Sequence, residues 1–281
     1  VQLTSQKFKI SKNLLTVKGV SGVTQLDQPL SQPAKFELAG SRENSRWGIL
    51  IAGTIFGLWA GSLVLLLSLD VAKLHPIGIL LAMLWQMFLY TGLFITAHDA
   101  MHGQVCPQNP KINSFIGSLV LLVYGLFSYK HLLKKHWEHH QYPASERDPD
   151  FHDGKHRNFF AWYFYFMKRY WSWTRLIGLI MLFHGIHLIF RVPESNLTLF
   201  WMLPSILSSV QLFYFGTFLP HLEPEGGYDE PHRAQSNAYP VFWSFITCYH
   251  FGYHQEHHEY PYVPWWQLPA VYEMHRKTAL S

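Results

Sequence analysis

The sequence predicts an all-α integral membrane protein with four transmembrane helices, interfacial helices and a histidine-rich cap. Three observations carry that reading. The apolar residues come in long runs, four of them able to cross a hydrocarbon core of roughly 30 Å. Charged residues make up 14% of the chain, well below the roughly 25% of an ordinary soluble domain. Histidine is over-supplied, 18 in 281 residues, and it collects where apolar runs end.

Taken in order, residues 1–46 are polar and mixed, with five lysines between Lys7 and Lys35 and with Pro33. No basic head leads into an apolar core and a small-residue cleavage site, so a secretory signal is not expected. This stretch reads as a polar cytoplasmic tail, and residues 47–281 as the membrane domain. A first span is expected over 47–69, and a second over 77–97 that leads directly into His98. The next apolar run, 113–129, is short for a crossing. If it crossed once, His136 would lie on the opposite face from His98, so it is expected to dip in, lie at the interface or pack on the bundle without emerging.

Residues 144–157 are dense in charge and read as a water-facing loop. Phe159–Trp173 mixes aromatics with Lys168 and Arg169, the composition of an interfacial helix. A third span is expected over 174–190. The fourth, over 197–219, is kinked by Pro204 and delivers His221. Val241–Tyr253 reads as a helical segment entering the last histidine cluster, and residues 264–281 as an amphipathic tail. The two short loops between spans hold only Lys73 and Arg191 of the 22 Lys and Arg. By the positive-inside rule the opposite face, which carries the histidines, is cytoplasmic.

The histidines form three clusters. His98 and His102 are four apart, hence on one helix face. His136, His139 and His140 sit in H-x-E-H-H-x-Y-P, and His254, His257 and His258 sit in the same phrase. In both, the first imidazole is three and four residues from the others. The Tyr-Pro that follows ends a helix, because a residue before proline is pushed out of the helical region. The repeat implies two quasi-equivalent half-sites. Neutral imidazole suits zinc, copper, iron or nickel, and eight such ligands exceed one tetrahedral zinc. Two irons of four to five nitrogens each would use eight to ten, and His221 is the natural ninth.

Other readings find less support. Cys106 and Cys248 have no C-x-x-C partner, and a net charge of +4 makes no case for nucleic acid. No Glu has a His three positions later, as carboxylate-bridged bundles require, and H-E-x-x-H is absent. A metal transporter would carry His and acidic groups along several spans, yet here only His184 and His187 lie within one. These two are expected to make packing or polar contacts. His250 is set aside because the repeat places Leu132 at its matching position, and His131 is off the His136 face. His75, His152, His156, His232 and His275 are expected to be solvated or interfacial. Glu138 and Glu256 could ligate or bridge metal, but are expected to accept hydrogen bonds from imidazoles or to be solvated, and Asp99 and Asp148 invite the same acceptor role.

With H-x-x-x-H followed by two H-x-x-H-H clusters after paired apolar runs, the chain resembles the integral-membrane fatty-acid desaturase and hydroxylase superfamily over roughly residues 45–270. Four phrases are similar to those of β-carotene ketolases of the bacterial and cyanobacterial type. They are His98-Asp99-Ala100-Met101-His102-Gly103, His136 to Ala144 with Asp148-Pro149-Asp150, Phe218-Leu219-Pro220-His221, and Gly252 to Pro261. Acyl-chain desaturases commonly space the first pair one residue further apart, which favours the carotenoid branch.

The resemblance implies two iron ions held by His98, His102, His136, His139, His140, His254, His257 and His258, with His221. It also implies dioxygen, an external electron donor such as ferredoxin, and β-carotene or a relative as substrate. Two hydroxylations at C4 of a β-ionone ring would form a geminal diol that loses water to the ketone. A carotenoid ring hydroxylase, or a lipid desaturase or hydroxylase, is the alternative on the same centre. Trp85, Phe88, Tyr90, Phe94, Trp137, Phe245 and Tyr249 are candidates to line a polyene slot. Lys130, Lys134, Lys135, Lys168 and Arg169 are candidates to meet an acidic ferredoxin or anionic membrane lipid. No feature of the sequence sets an oligomeric state.

Overall fold

The computed structural model describes residues 42–228 and 231–278, and every regular element among them is helical. The expected tail lies outside the described residues, apart from its last five positions. Those are already helical: α1 runs Arg42–Ser68, and its polar first turn buries Asn44 and Ser45. An apolar run marks where lipid begins, and a helix can start sooner where polar side chains find partners. Here the Ser45 hydroxyl accepts the Gln108 N–H at 3.3 Å.

Helix α2, Pro76–Met101, opens with proline at its first turn and with His75 accepting the Ile77 N–H. It continues past Ala97, so His98 lies in its last turn and His102 caps it. Two further helices, α6 (Trp173–Phe190) and α7 (Glu194–Phe218), complete a set of four long and apolar enough to cross a membrane. Polar side chains tie three of them together. Gln86 donates to Ser62 (2.9 Å), and Thr91 bonds Ser208 (2.9 Å) and Gln211 (2.6 Å). Asn196 donates to the carbonyls of Leu66 and Leu69 at 3.0 and 2.8 Å, at the C-terminal end of α1. Such carbonyls would cost several kcal/mol each if left unpaired in hydrocarbon.

The short apolar run becomes α3, Pro110–Gly125, which meets α4, Tyr129–Gln141, at a bend of 100°. At the far end of α3, Tyr124 packs on Tyr90 and Phe94 with ring centroids 5.8 and 5.5 Å apart. Those residues lie near the middle of α2, so the chain turns back there, through Leu126 in a left-handed conformation. Asn113 and Tyr129 both donate to the Ala100 carbonyl, at 2.7 and 2.6 Å. The expected return of α4 to the His98 end of α2 follows from this reversal.

Helix α5, Phe159–Arg169, precedes α6, no residue of which is buried. The π-type turns Thr198–Met202 and Tyr214–Phe218 interrupt α7, and Pro204 lies two residues beyond the first, where the hydrogen-bond ladder already shifts. The expected continuous helix into the last cluster does not form. Helix α8, Val241–Cys248, stops where Tyr249 and His250 take positive φ (50° and 61°), and a separate short helix α9, His254–Glu259, carries the histidines. The amphipathic tail forms α10, Leu268–Thr278, with Leu268 and Val271 buried.

Candidate metal centre

Nine histidines converge at one end of the bundle and divide into two groups. The first holds His98, His102, His136, His140 and His257; the second holds His139, His221, His254 and His258. Within each group the candidate nitrogens lie within 4.8 Å of one another. Facing Nε2 atoms stand 2.6 Å apart for His102 and His136, 3.0 Å for His140 and His257, and 3.1 Å for His221 and His254. Two nitrogens at right angles about 2.1 Å from one cation stand roughly 3.0 Å apart. The donors therefore fit two cations. The two helix-borne phrases divide in opposite senses: His136 and His140 join the first group and His139 the second, whereas His254 and His258 join the second and His257 the first.

Contacts behind the rings aim them. His139 donates Nδ1–H to Asp148 at 3.0 Å while its Nε2 stands 3.1 Å from that of His258. Asp148 is itself held by the N–H groups of Ala144 (2.9 Å) and Asp150 (2.8 Å). His221 donates Nδ1–H to the Arg233 carbonyl at 2.9 Å. Both nitrogens of His98 are buried without a hydrogen-bond partner, which suits a ring that gives a lone pair to metal.

Burial, then the neighbouring imidazoles, push His102, His136, His140, His254, His257 and His258 well below the usual histidine range. Burial takes His221 down to about 3. Such rings are neutral, as ligation requires. At His139 burial opposes the charged form, but the Asp148 carboxylate overrides it and pushes the ring up to about 9.

A cavity of ≈ 670 Å³ opens onto these groups, with His98, His136, His139 and His254 in its wall. From there it follows the inner side of α6 and of α7, whose Thr217 and Thr198 both line it. These are nineteen residues apart on one helix, about 28 Å of rise. Phe251 lies at the metal end, 4.6 Å from the His98 ring and 5.0 Å from that of His254. A Cβ on Gly216 would stand 2.3 Å from its Cε1, so glycine is required for this close approach.

The fatty acid desaturase family profile matches residues 74–195 and 167–281. The chain belongs to the fatty acid desaturase family. Among curated relatives, it is 38% identical over 253 residues to a protein of Protosiphon botryoides named β-carotene 4-ketolase, covering 83% of this chain and 65% of that one. It is 38% identical over 247 residues to a zeaxanthin 4-ketolase of Chlamydomonas reinhardtii, covering 83% and 55%. A β-carotene ketolase of Paracoccus sp. (strain N81106 / MBIC 01143) is 39% identical over 226 residues, covering 79% and 91%. The chain thus spans less than two-thirds of the length of the two algal relatives. Family membership and the four apolar helices make it an integral membrane protein with histidine clusters compatible with a metal centre.

Against this family background, the structure brings together all nine histidines singled out in the sequence and leaves the others out. His131 is exposed, and the break before α9 turns His250 into a contact with Phe245 and Tyr253. Glu138 lies near Lys134 at 3.7 Å, and Glu256 bonds Ser236, so neither carboxylate joins a donor group.

Several expectations need correction. The charged loop is not simply water-facing: Asp148 is buried beneath it. His152 is buried against Phe151 and Trp162 rather than solvated, and its Nδ1 accepts the Gly154 N–H. Of the seven aromatics expected to line a slot, only Phe94 does. Phe88, Phe245 and Tyr249 instead fill the seam between α2 and α8, with Phe88 and Tyr249 stacked at 4.4 Å. Tyr90 packs on Trp59, whereas Trp85 and Trp137 are exposed. Composition could not distinguish these faces. Phe251 and Gly216 carried no sequence signal at all, since each matters only through the other.

Proposed function

We propose that the chain is a carotenoid ketolase, placing 4-keto groups on the β-ionone rings of β-carotene. The observation that carries this reading is the long apolar cavity running along α7 into the two histidine groups. A rod-shaped apolar substrate fits such a channel, and the ketolase names of the relatives support the same assignment.

In this reading His98, His102, His136, His140 and His257 hold one iron, and His139, His221, His254 and His258 hold the other. The iron pair supplies activation of dioxygen when bound. The chain's own residues do the rest. Asp148 and the Arg233 carbonyl fix the tautomers of His139 and His221 so that each presents Nε2 as a lone pair. Phe94, Met101 and Phe251 wall the metal end with apolar surface, which excludes water and seats the ring edge against the histidines. Two successive hydroxylations at C4, followed by loss of water from the geminal diol, give the ketone.

The distribution of Lys and Arg supports a metal end facing the cytoplasm, with α5 lying at the interface through its exposed Phe160 and Phe164. An electron donor of ferredoxin type would then approach from that side, near Lys130 and Lys134. Expression in cells that accumulate β-carotene, followed by pigment analysis, tests the assignment. Mono- and di-keto products are expected; 3-hydroxy products, or altered acyl chains with unaltered pigment, would assign the centre to a hydroxylase or lipid desaturase instead.

A further inference from the structure

The cavity has a second end. About 28 Å of α7 separates Thr217, near the metal groups, from Thr198, and α6 runs beside it from Arg175 to His184, all four lining the cavity. The ring of Phe183 stacks on that of Trp201 at 6.1 Å, which places this part of α6 level with the start of α7. His184 therefore stands in the cavity wall remote from the histidine groups, among Leu179, Ile180, Phe183 and Trp201. Among the described residues no hydrogen bond engages the side chain of His184 or of Thr198, whereas Ser205 and Ser209, nearer the centre, are bonded to the Met202 and Ile206 carbonyls.

His184 is one of the exposed residues of α6, so in the bilayer its imidazole meets only the cavity and lipid, where it is costly to leave without a partner. A neutral imidazole offers one N–H donor and one acceptor, and a plain hydrocarbon ring can satisfy neither. A symmetric two-ringed substrate is presented twice. On the first pass the remote ring is hydrocarbon; on the second it already carries the oxygen installed before.

We propose that His184, with Thr198 at the same end, recognises an oxygen function on the ring remote from the metals. The ligand class is a carotenoid with one ketolated or hydroxylated ring. The inference rests on the ketolase reading. The His184 N–H donates to a keto oxygen, or the ring and Thr198 share a hydroxyl, and the partly converted substrate is held in preference to the unmodified one. The device favours completion of both rings.

The test uses full-length protein in membranes and compares wild type with His184→Leu, which removes hydrogen bonding, and His184→Gln, which keeps it. Competing β-carotene against its mono-ketone gives the ratio of the two kcat/KM values. A fall in preference for the mono-ketone of about two- to tenfold is expected in His184→Leu, the range of one neutral hydrogen bond, with recovery in His184→Gln. A second readout needs no turnover: mono-ketone bound to metal-free protein shows a red-shifted visible band in wild type and His184→Gln but not in His184→Leu. An unchanged ratio and band in His184→Leu, or equal losses in both variants, overturns the inference. If wild type forms no ketone at all, the ketolase reading fails separately, and the band shift still decides whether His184 meets an oxygenated ring.

Discussion

His139 stands between Asp148 and His258, with Nδ1 3.0 Å from the carboxylate and Nε2 3.1 Å from the facing imidazole. One ring thus links the charged loop after α4 to the second histidine group. Asp148→Asn keeps the shape but no longer enforces the tautomer. Iron affinity of the second group is expected to fall 10- to 100-fold, read as iron per chain after dialysis, with helical content unchanged. Retention of two irons at wild-type affinity would show that the carboxylate serves only the loop.

The same pair sets a pH dependence. In the metal-free protein the ring of His139 is raised to about 9, so it carries a proton at neutral pH that a metal must displace. Binding at the second group is therefore expected to strengthen from pH 7 to 9 and to release that proton. Calorimetric titration in two buffers of different ionisation enthalpy measures the release. His102, His136, His140 and His257 of the first group are pushed down and contribute no such release in this range. In Asp148→Asn the second group should lose its slope.

Each H-x-E-H-H phrase serves both groups, so neither phrase is dispensable. His139→Ala and His257→Ala are expected to abolish ketone formation and to lower iron retained per chain. His131→Ala, an exposed position one turn from the site, should largely spare both. Equal loss of pigment conversion at His131 would mean that the ligand set is misassigned.

Gly216 is a steric prediction. Its replacement by alanine drives a methyl into the Phe251 ring, which packs on His98 and His254. Overpacking of this kind costs about 1–3 kcal/mol, and a loss of roughly tenfold or more in ketone yield is expected. Adding Phe251→Leu to Gly216→Ala should recover part of it. If the double variant is no better than the single, the contact does not shape the site.

Much of this protein is local in origin and was legible in the chain. Apolar runs marked the four long apolar helices to within a few residues, because in lipid only backbone that satisfies itself is tolerated. The i, i+3 and i, i+4 spacings put His136, His139 and His140 on one helix end, and the repeated phrase marked its counterpart. The structure alone decided how the nine rings are shared. His139 meets His258 across 119 residues and His140 meets His257 across 117, and no local spacing sets which ring faces which. The reversal of α3 halfway along α2, the burial of Asp148 and the cavity beside α6 depend in the same way on packing between distant segments. Spacing determines which side chains share a face; only the assembled bundle determines what that face meets.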